Sequence, residues 1–292
     1  MNCGACRIFV TVPRVGSKLD TETSAVTRLA IGILIAFVVP GCVYHVPGGQ
    51  PRPVQSTRDV ILNGSRVTLH LSSVGVADRR LLVVYATGDG GWRGKDLDLF
   101  RHLVSWGYAT AGFSAPQYVK QLQGADEITT PARLARDYAA IIAAAEQALA
   151  LPDSTAVILV GVSRGAGLSV VAAGQPAIRP LIDGVVVMGL TKEEEHVRWR
   201  RRRRSTELQI YDYLPQLADL PIAVIQSTRD NYLPAADARS LFGADTARRQ
   251  FHAIDARNHS FAGARPVLYD TLRASLEWVT SAAGHADAEG AP

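Results

Sequence analysis

The chain has 292 residues, 47% of them hydrophobic and 20% charged, with a net charge of +4; this balance excludes a disordered chain and leaves room for one sizeable core. The positive charge is local, because Arg198 to Arg204 hold six arginines around Trp199, and without them the sequence is close to neutral. Overall basicity is therefore no argument for a nucleic-acid partner, and such binding is not expected.

Taken from the start, the chain opens on a polar, mixed stretch, residues 1–25. Next comes the apolar run Leu29 to Val39, preceded by Arg28 and followed by Pro40, Gly41 and Cys42. A basic residue, a short apolar segment and a small residue before a cysteine read as a secretory signal ending at 41. Cys42 then resembles the lipidated first residue of a bacterial lipoprotein, anchored to an envelope membrane in the periplasm. An uncleaved N-terminal anchor remains the alternative. Residues 1–25 make an over-long leader, so translation is expected to begin at Val26 from a non-standard start codon. Cys3 and Cys6 form a Cys-x-x-Cys without a βαβ unit or a second ligand pair, which speaks against a redox or zinc site. No cysteine follows Cys42, so neither structural disulfides nor a thiol nucleophile is expected beyond it. No cofactor or metal is called for.

Residues 42–57 are proline-rich and polar and read as a tether. Asp59 to Leu62 and Arg66 to Leu71 flank Asn63-Gly64, which predicts a β-hairpin. Apolar strand patterns then alternate with helical ones. Strands are expected at Leu81 to Tyr85, Tyr108 to Phe113, Ala156 to Val160, Gly184 to Met188, Ile222 to Gln226 and Gln250 to Ile254. Helices are expected over 95–106, 131–150, after residue 165 and over 266–282. Continuous apolar strands separated by helices imply a mainly parallel sheet covered on both faces. Residues 58–283 are expected to form one domain, with 284–292 a loose tail.

Behind the Ala156 strand stands Gly161-Val162-Ser163-Arg164-Gly165, followed by the small-residue run Ala166 to Ala173. Gly-x-Ser-x-Gly between a buried strand and a helix is the pattern of a nucleophile elbow, and with the parallel sheet and leading hairpin it predicts an α/β-hydrolase fold. The chain order of that fold is serine, acid, histidine. Asp230, in the loop Ser227 to Pro234, fits the acid, with Asp237 as the fallback. His259, between the last strand and the last helix, fits the base; His252 falls in a strand, His70 before the core and His102 on the first helix. The glycine-rich loop Thr87-Gly88-Asp89-Gly90-Gly91-Trp92 follows the first parallel strand. Asp89 N–H or Gly90 N–H, with Arg164 N–H, is expected to form an oxyanion hole, and Trp92 to be a wall of the substrate pocket or plain core rather than a catalytic group. A phosphate-binding loop would need a Gly-Lys-Ser/Thr ending that is missing here. His259 must be neutral to accept the serine proton, so ester hydrolysis is expected to rise with pH through about 6–7.

The loop Gly88 to Trp92, the elbow at Ser163 and the exported N-terminus together resemble the bacterial VirJ/AcvB virulence-protein family over roughly residues 80–283. The resemblance implies an exported α/β hydrolase with Ser163, Asp230 and His259 as its triad. It further implies aminoacyl-phosphatidylglycerol as the leading substrate, and for the VirJ type a link to a secretion-system protein. A catalytically silent envelope lipoprotein, or a small-molecule esterase or peptidase, are the other readings. An extra N-terminal domain, found in the longer AcvB type, is not expected here. The arginine run also falls outside the resemblance. It follows Glu193-Glu194-Glu195 and reads either as a guide for anionic phospholipid, with Trp199, Arg200 and Arg201 at the headgroups, or as a solvated face paired with the glutamates.

Overall fold

The structure, a computed structural model, describes residues 54–62, 64–73, 81–122, 130–195 and 207–289. The chain divides into two units, Met1–Gly49 and Gln50–Pro292, and all of these residues belong to the second. The proposed signal, Cys42, residues 43–53 of the tether and the run carrying Trp199, Arg200 and Arg201 lie outside the described residues, whereas Val54 to Thr57, expected in the tether, belong to the first strand.

Strands β1 (Val54–Leu62) and β2 (Ser65–Ser73) pair antiparallel, with Leu62 opposite Ser65, the register set by a two-residue connection. Then follow β3 (Leu81–Ala86), α1 (Gly94–Ser105), β4 (Ala109–Phe113), α2 (Ala115–Leu122), α3 (Pro131–Leu149), β5 (Ala156–Val162) and α4 (Arg164–Ala173). The second half contributes β6 (Gly184–Met188), β7 (Glu193–Glu195), β8 (Glu207–Gln209), a 3₁₀ helix (Ile210–Leu217), β9 (Ile222–Ser227), α5 (Ala235–Phe242), β10 (Arg249–Ile254) and α6 (Arg265–Glu289). The main sheet runs β1-β2-β4-β3-β5-β6-β9-β10, parallel from β4 onward, while β7 and β8 form a separate antiparallel pair. This is the expected α/β-hydrolase arrangement. Helix α6 continues to Glu289, past the expected end at 282.

The apolar strands divide by alternation. Leu82, Val84, Val157, Leu159, Val185 and Val187 face one core under α3 and α4, whereas Val83, Tyr85, Ile158, Val160, Val186 and Met188 face the other under α1 and α6. Burial on both faces explains why these strands are apolar throughout, and each large side chain contributes about 1.5–3 kcal/mol. Helix α3 starts where Thr130 caps the Arg133 amide at 3.2 Å and Pro131 occupies the first turn; both residues favour a helix N-terminus. Parallel order puts the C-terminal ends of β3, β5, β9 and β10 along one rim, and the loops leaving those ends carry the glycine loop, Ser163, Asp230 and His259.

Candidate active site

Ser163 sits between β5 and α4 with φ 51° and ψ −115°, a conformation that a non-glycine residue holds only when its surroundings enforce it. The enforcement is visible. The Ser163 amide donates to Met188 O at 2.9 Å, and Ser163 O accepts from Ala166 N and Gly167 N at 2.9 and 3.1 Å. A Cβ on Gly161 would collide with the Gly165 carbonyl, and one on Gly165 with the carbonyls of Ala86 and Thr87. The two glycines of the pentapeptide are thus required by close backbone approach.

His259, in the loop between β10 and α6, places Nε2 2.8 Å from Ser163 Oγ and Nδ1 2.7 Å from Asp230 Oδ2. With the carboxylate on Nδ1, that nitrogen carries the proton and Nε2 is left to accept from the serine hydroxyl. Asp230 follows β9 and is 2% exposed. Its Oδ1 accepts from Tyr232 N at 2.9 Å and Leu233 N at 3.3 Å, and its Oδ2 also accepts from Gln226 Nε2 at 3.1 Å. Gln226 is fixed in turn, because its Oε1 accepts from Leu190 N at 2.9 Å and its Nε2 donates to Leu233 O at 2.7 Å. The fallback acid Asp237 lies in the first turn of α5 and takes no part in these contacts.

The glycine loop lies beside the serine. A Cβ on Gly88 would stand 3.5 Å from Ser163 Cβ, and Thr87 O accepts from Gly165 N at 3.1 Å. Arg164 N–H heads helix α4, where amides have no intrahelical acceptor. The Arg164 side chain spans two elements, pairing with Asp89 at 2.5 Å and with the buried Glu194 of β7. Burial alone would lower the guanidinium pKa, but Glu194 and Asp89 outweigh it and hold it above the ordinary value.

Residues 80–203 match the family model described as a bacterial virulence protein, VirJ. The VirJ match takes in the glycine loop and the Ser163 elbow and stops short of Asp230 and His259. No curated protein sequence matches the chain. Similar solved structures include Est1E from Butyrivibrio proteoclasticus, at 12% identity and TM-score 0.56, covering 77% of this chain and 99% of that one. A dienelactone hydrolase from Anabaena variabilis matches at 19% identity and TM-score 0.54, over 78% of this chain and 98% of its own. The esterase domain of a Rhodothermus marinus protein does so at 15% identity and TM-score 0.51, over 78% and 98%. At these identities the likeness shows the α/β-hydrolase fold alone.

Trp92 packs against the core. Gly91 has φ +66°, a conformation glycine adopts without strain. The indole stacks on His70 at 3.9 Å and 8° and meets the Phe100 edge at 4.8 Å. It lines a hollow of about 430 Å³ with His70 and Arg101, which includes none of Ser163, Asp230 and His259. Burial lowers the His70 pKa there. A larger hollow, about 570 Å³ near Glu146, Asp153 and Asp183, is also remote from the serine. The cavity that does touch the site is about 20 Å³, lined by Asp96, Val162, Met188 and His259 among others, room for one water.

Several contributors went unnoticed in the sequence. Gln226 was visible as a polar residue ending an apolar strand, four before Asp230. Tyr232, 68% exposed, presents its ring edge to His259 at 4.8 Å. Burial and Asp230 raise the Tyr211 hydroxyl pKa. Glu194 looked like one of three solvated glutamates. No group of three His, Cys, Asp or Glu able to hold a metal occurs among the described residues.

Proposed function

We propose that this protein is a serine hydrolase of carboxylic esters, with Ser163 as nucleophile, His259 as general base and acid, and Asp230 as the group that orients the imidazole. The observation that carries the reading is the continuous relay from Ser163 Oγ through His259 to Asp230 at 2.8 and 2.7 Å. His259 Nε2 takes the serine proton as Oγ attacks the ester carbonyl, and Asp230 stabilises the imidazolium. Arg164 N–H, with Asp89 N–H or Gly90 N–H, receives the oxyanion. Collapse of the tetrahedral species expels the alcohol, which takes the proton from His259, and water then releases the acyl group by the same steps in reverse order of roles.

Aminoacyl-phosphatidylglycerol is the substrate we favour, on the resemblance of the glycine loop and elbow to the VirJ/AcvB family, whose AcvB type implies it, and on the sequence features of an exported lipoprotein anchored through Cys42 in the periplasm. The arginine run Arg198 to Arg204 suits an anionic headgroup. The test is mass spectrometry of vesicles containing lysyl-phosphatidylglycerol, incubated with the full-length protein or with Ser163→Ala. Release of lysine only by the intact serine supports enzyme and substrate together. Silence in both, with no fluorophosphonate label on Ser163, would turn the reading toward an envelope lipoprotein that binds a secretion partner.

A further inference from the structure

Helix α1 begins directly after the glycine loop, and its third residue is Asp96. An acidic residue at that position ordinarily turns back to the start of its own helix. Asp96 does not. It is 1% exposed, and its Oδ1 accepts from Gly88 N at 2.8 Å and from the Tyr85 hydroxyl at 3.1 Å. A buried carboxylate is costly unless hydrogen-bonded, and the helix N-terminus supplies part of the compensation. Tyr85 is itself fully buried at the end of β3, and burial together with Asp96 raises its hydroxyl pKa well above the ordinary value. The phenol therefore remains a donor, and the carboxylate is held from below by the sheet.

What the carboxylate holds is the turn beside the nucleophile. Gly88 N is bound to Asp96, Gly88 O accepts from Gly91 N at 3.0 Å, and Thr87 O accepts from Gly165 N at 3.1 Å. The peptide groups on either side of Gly88 are thereby fixed, whereas Asp89 N and Gly90 N have no hydrogen-bond partner among the described residues. Packing keeps the arrangement tight, since a Cβ on Gly90 would stand 3.0 Å from Asp96 Oδ2.

We propose that Asp96 is a positioning residue for the oxyanion site: by holding the Gly88 amide it sets the Thr87–Gly91 turn so that the next amides face the oxyanion formed over Ser163. The inference rests on the hydrolase reading above. It assigns Asp96 no proton transfer and no contact with substrate; its effect passes through the backbone. Donors held in place before the reaction stabilise developing charge without reorganising, so the role is felt in the transition state more than in substrate binding.

The test uses full-length protein in mild detergent with p-nitrophenyl acetate, each rate normalised to active serines by fluorophosphonate titration. Asp96→Ala is expected to lower kcat about 30- to 100-fold with KM changed less than about threefold, in line with weakened oxyanion donors. Affinity for phenylboronic acid, which forms a tetrahedral adduct on Ser163, should fall in parallel. Asp96→Asn keeps an acceptor for Gly88 N–H and is expected to stay within about fivefold of wild type. Should Asp96→Ala not fold, Gly90→Ala pushes on Oδ2 without removing a buried acceptor, and is expected to show the same loss in kcat and boronate affinity. A purely structural role would lower the melting temperature and leave kcat per active serine and boronate affinity unchanged, which overturns the proposal. So would an Asn variant as impaired as the Ala variant. Ser163→Ala in the same assay separates the two readings: if it hydrolyses as fast as wild type, the hydrolase reading fails, and if it is inactive while Asp96→Ala is normal, only the positioning role fails.

Discussion

Asp230→Asn tests the proposed relay with a change of one atom. In the wild type, Asp230 Oδ1 is fixed by two backbone amides, Tyr232 N and Leu233 N, and Oδ2 faces His259 Nδ1 and Gln226 Nε2. An asparagine must keep its oxygen on the amide side, which turns its NH₂ toward His259 and Gln226. Gln226 cannot rotate to compensate without losing its bonds to Leu190 N and Leu233 O. The imidazole must then present a lone pair at Nδ1 and carry its proton on Nε2, where it points at Ser163 and cannot accept. The expected loss is about 10⁴-fold in kcat, or about 5 kcal/mol of transition-state stabilisation. The confrontation of two NH₂ groups should cost a further 1–3 kcal/mol, roughly, in stability. Steady-state hydrolysis of p-nitrophenyl acetate, normalised to folded protein by circular dichroism, gives the answer. An Asp230→Asn enzyme within tenfold of wild-type kcat would refute the assignment of Asp230 as the orienting acid.

Three further outcomes follow from the packing. Gly165→Ala drives a methyl group into the Ala86 and Thr87 carbonyls, so urea denaturation should show a loss of about 2–3 kcal/mol; an unchanged midpoint contradicts the tight elbow. Asp137→Ala removes from α3 the acceptor of the Tyr118 hydroxyl and the partner of buried Arg133, and should destabilise by about 3 kcal/mol in the same assay. Burial, with Asp96 for Tyr85 and Asp137 for Tyr118, raises the pKa of both hydroxyls above the ordinary value. Since the unfolded tyrosines ionise first, near about 10, their contribution is complete below that pH and is lost as pH climbs toward the folded-state values. Melting temperatures measured from pH 8 to 11 should therefore drop above pH 10, and less steeply in Tyr85→Phe.

What the sequence disclosed and what it concealed have physical causes. Strands such as Val83-Val84 and Val157 to Val160 are buried on both faces, so they appear as unbroken apolar runs, and their order alone fixes which loops share a rim. Ser163 and Asp230 could be singled out because each loop follows such a strand, whereas His259 follows the half-exposed edge strand β10 and was found by its place in the chain order. Asp96 could not: an acid in the first turn of a helix satisfies a local rule, and only the tertiary path of the glycine loop shows that its bond goes elsewhere. Which of its two expected places Trp92 takes was hidden for a related reason, because the direction taken after Gly91 depends on its positive φ and on the bare surface at Gly112, where the indole rests. Helix α2 has apolar residues at helical spacing, Ala115, Tyr118, Val119 and Leu122, but spans only eight residues, and β7 and β8 have three each, so none of these patterns is long enough to stand out.

The hairpin at the edge of the sheet has a consequence for orientation. β1 runs parallel to the catalytic strands, since β2 is antiparallel both to it and to β4. Val54, opposite Ser73, therefore sits at the end of the sheet away from the loops that bear Ser163 and His259, and β1 is four strand spacings from β5. At about 4.8 Å per spacing that is roughly 19 Å sideways, with a further distance along the strands. The segment preceding Val54 therefore joins the described domain at the end of the sheet opposite Ser163 and His259. If that preceding segment is fixed to a lipid surface, the domain must tip over to bring Ser163 down to a lipid ester, and the eleven residues between Cys42 and Val54, with a reach of at most about 40 Å, become the part that permits it. Shortening them would then strand a fully folded enzyme facing away from its substrate.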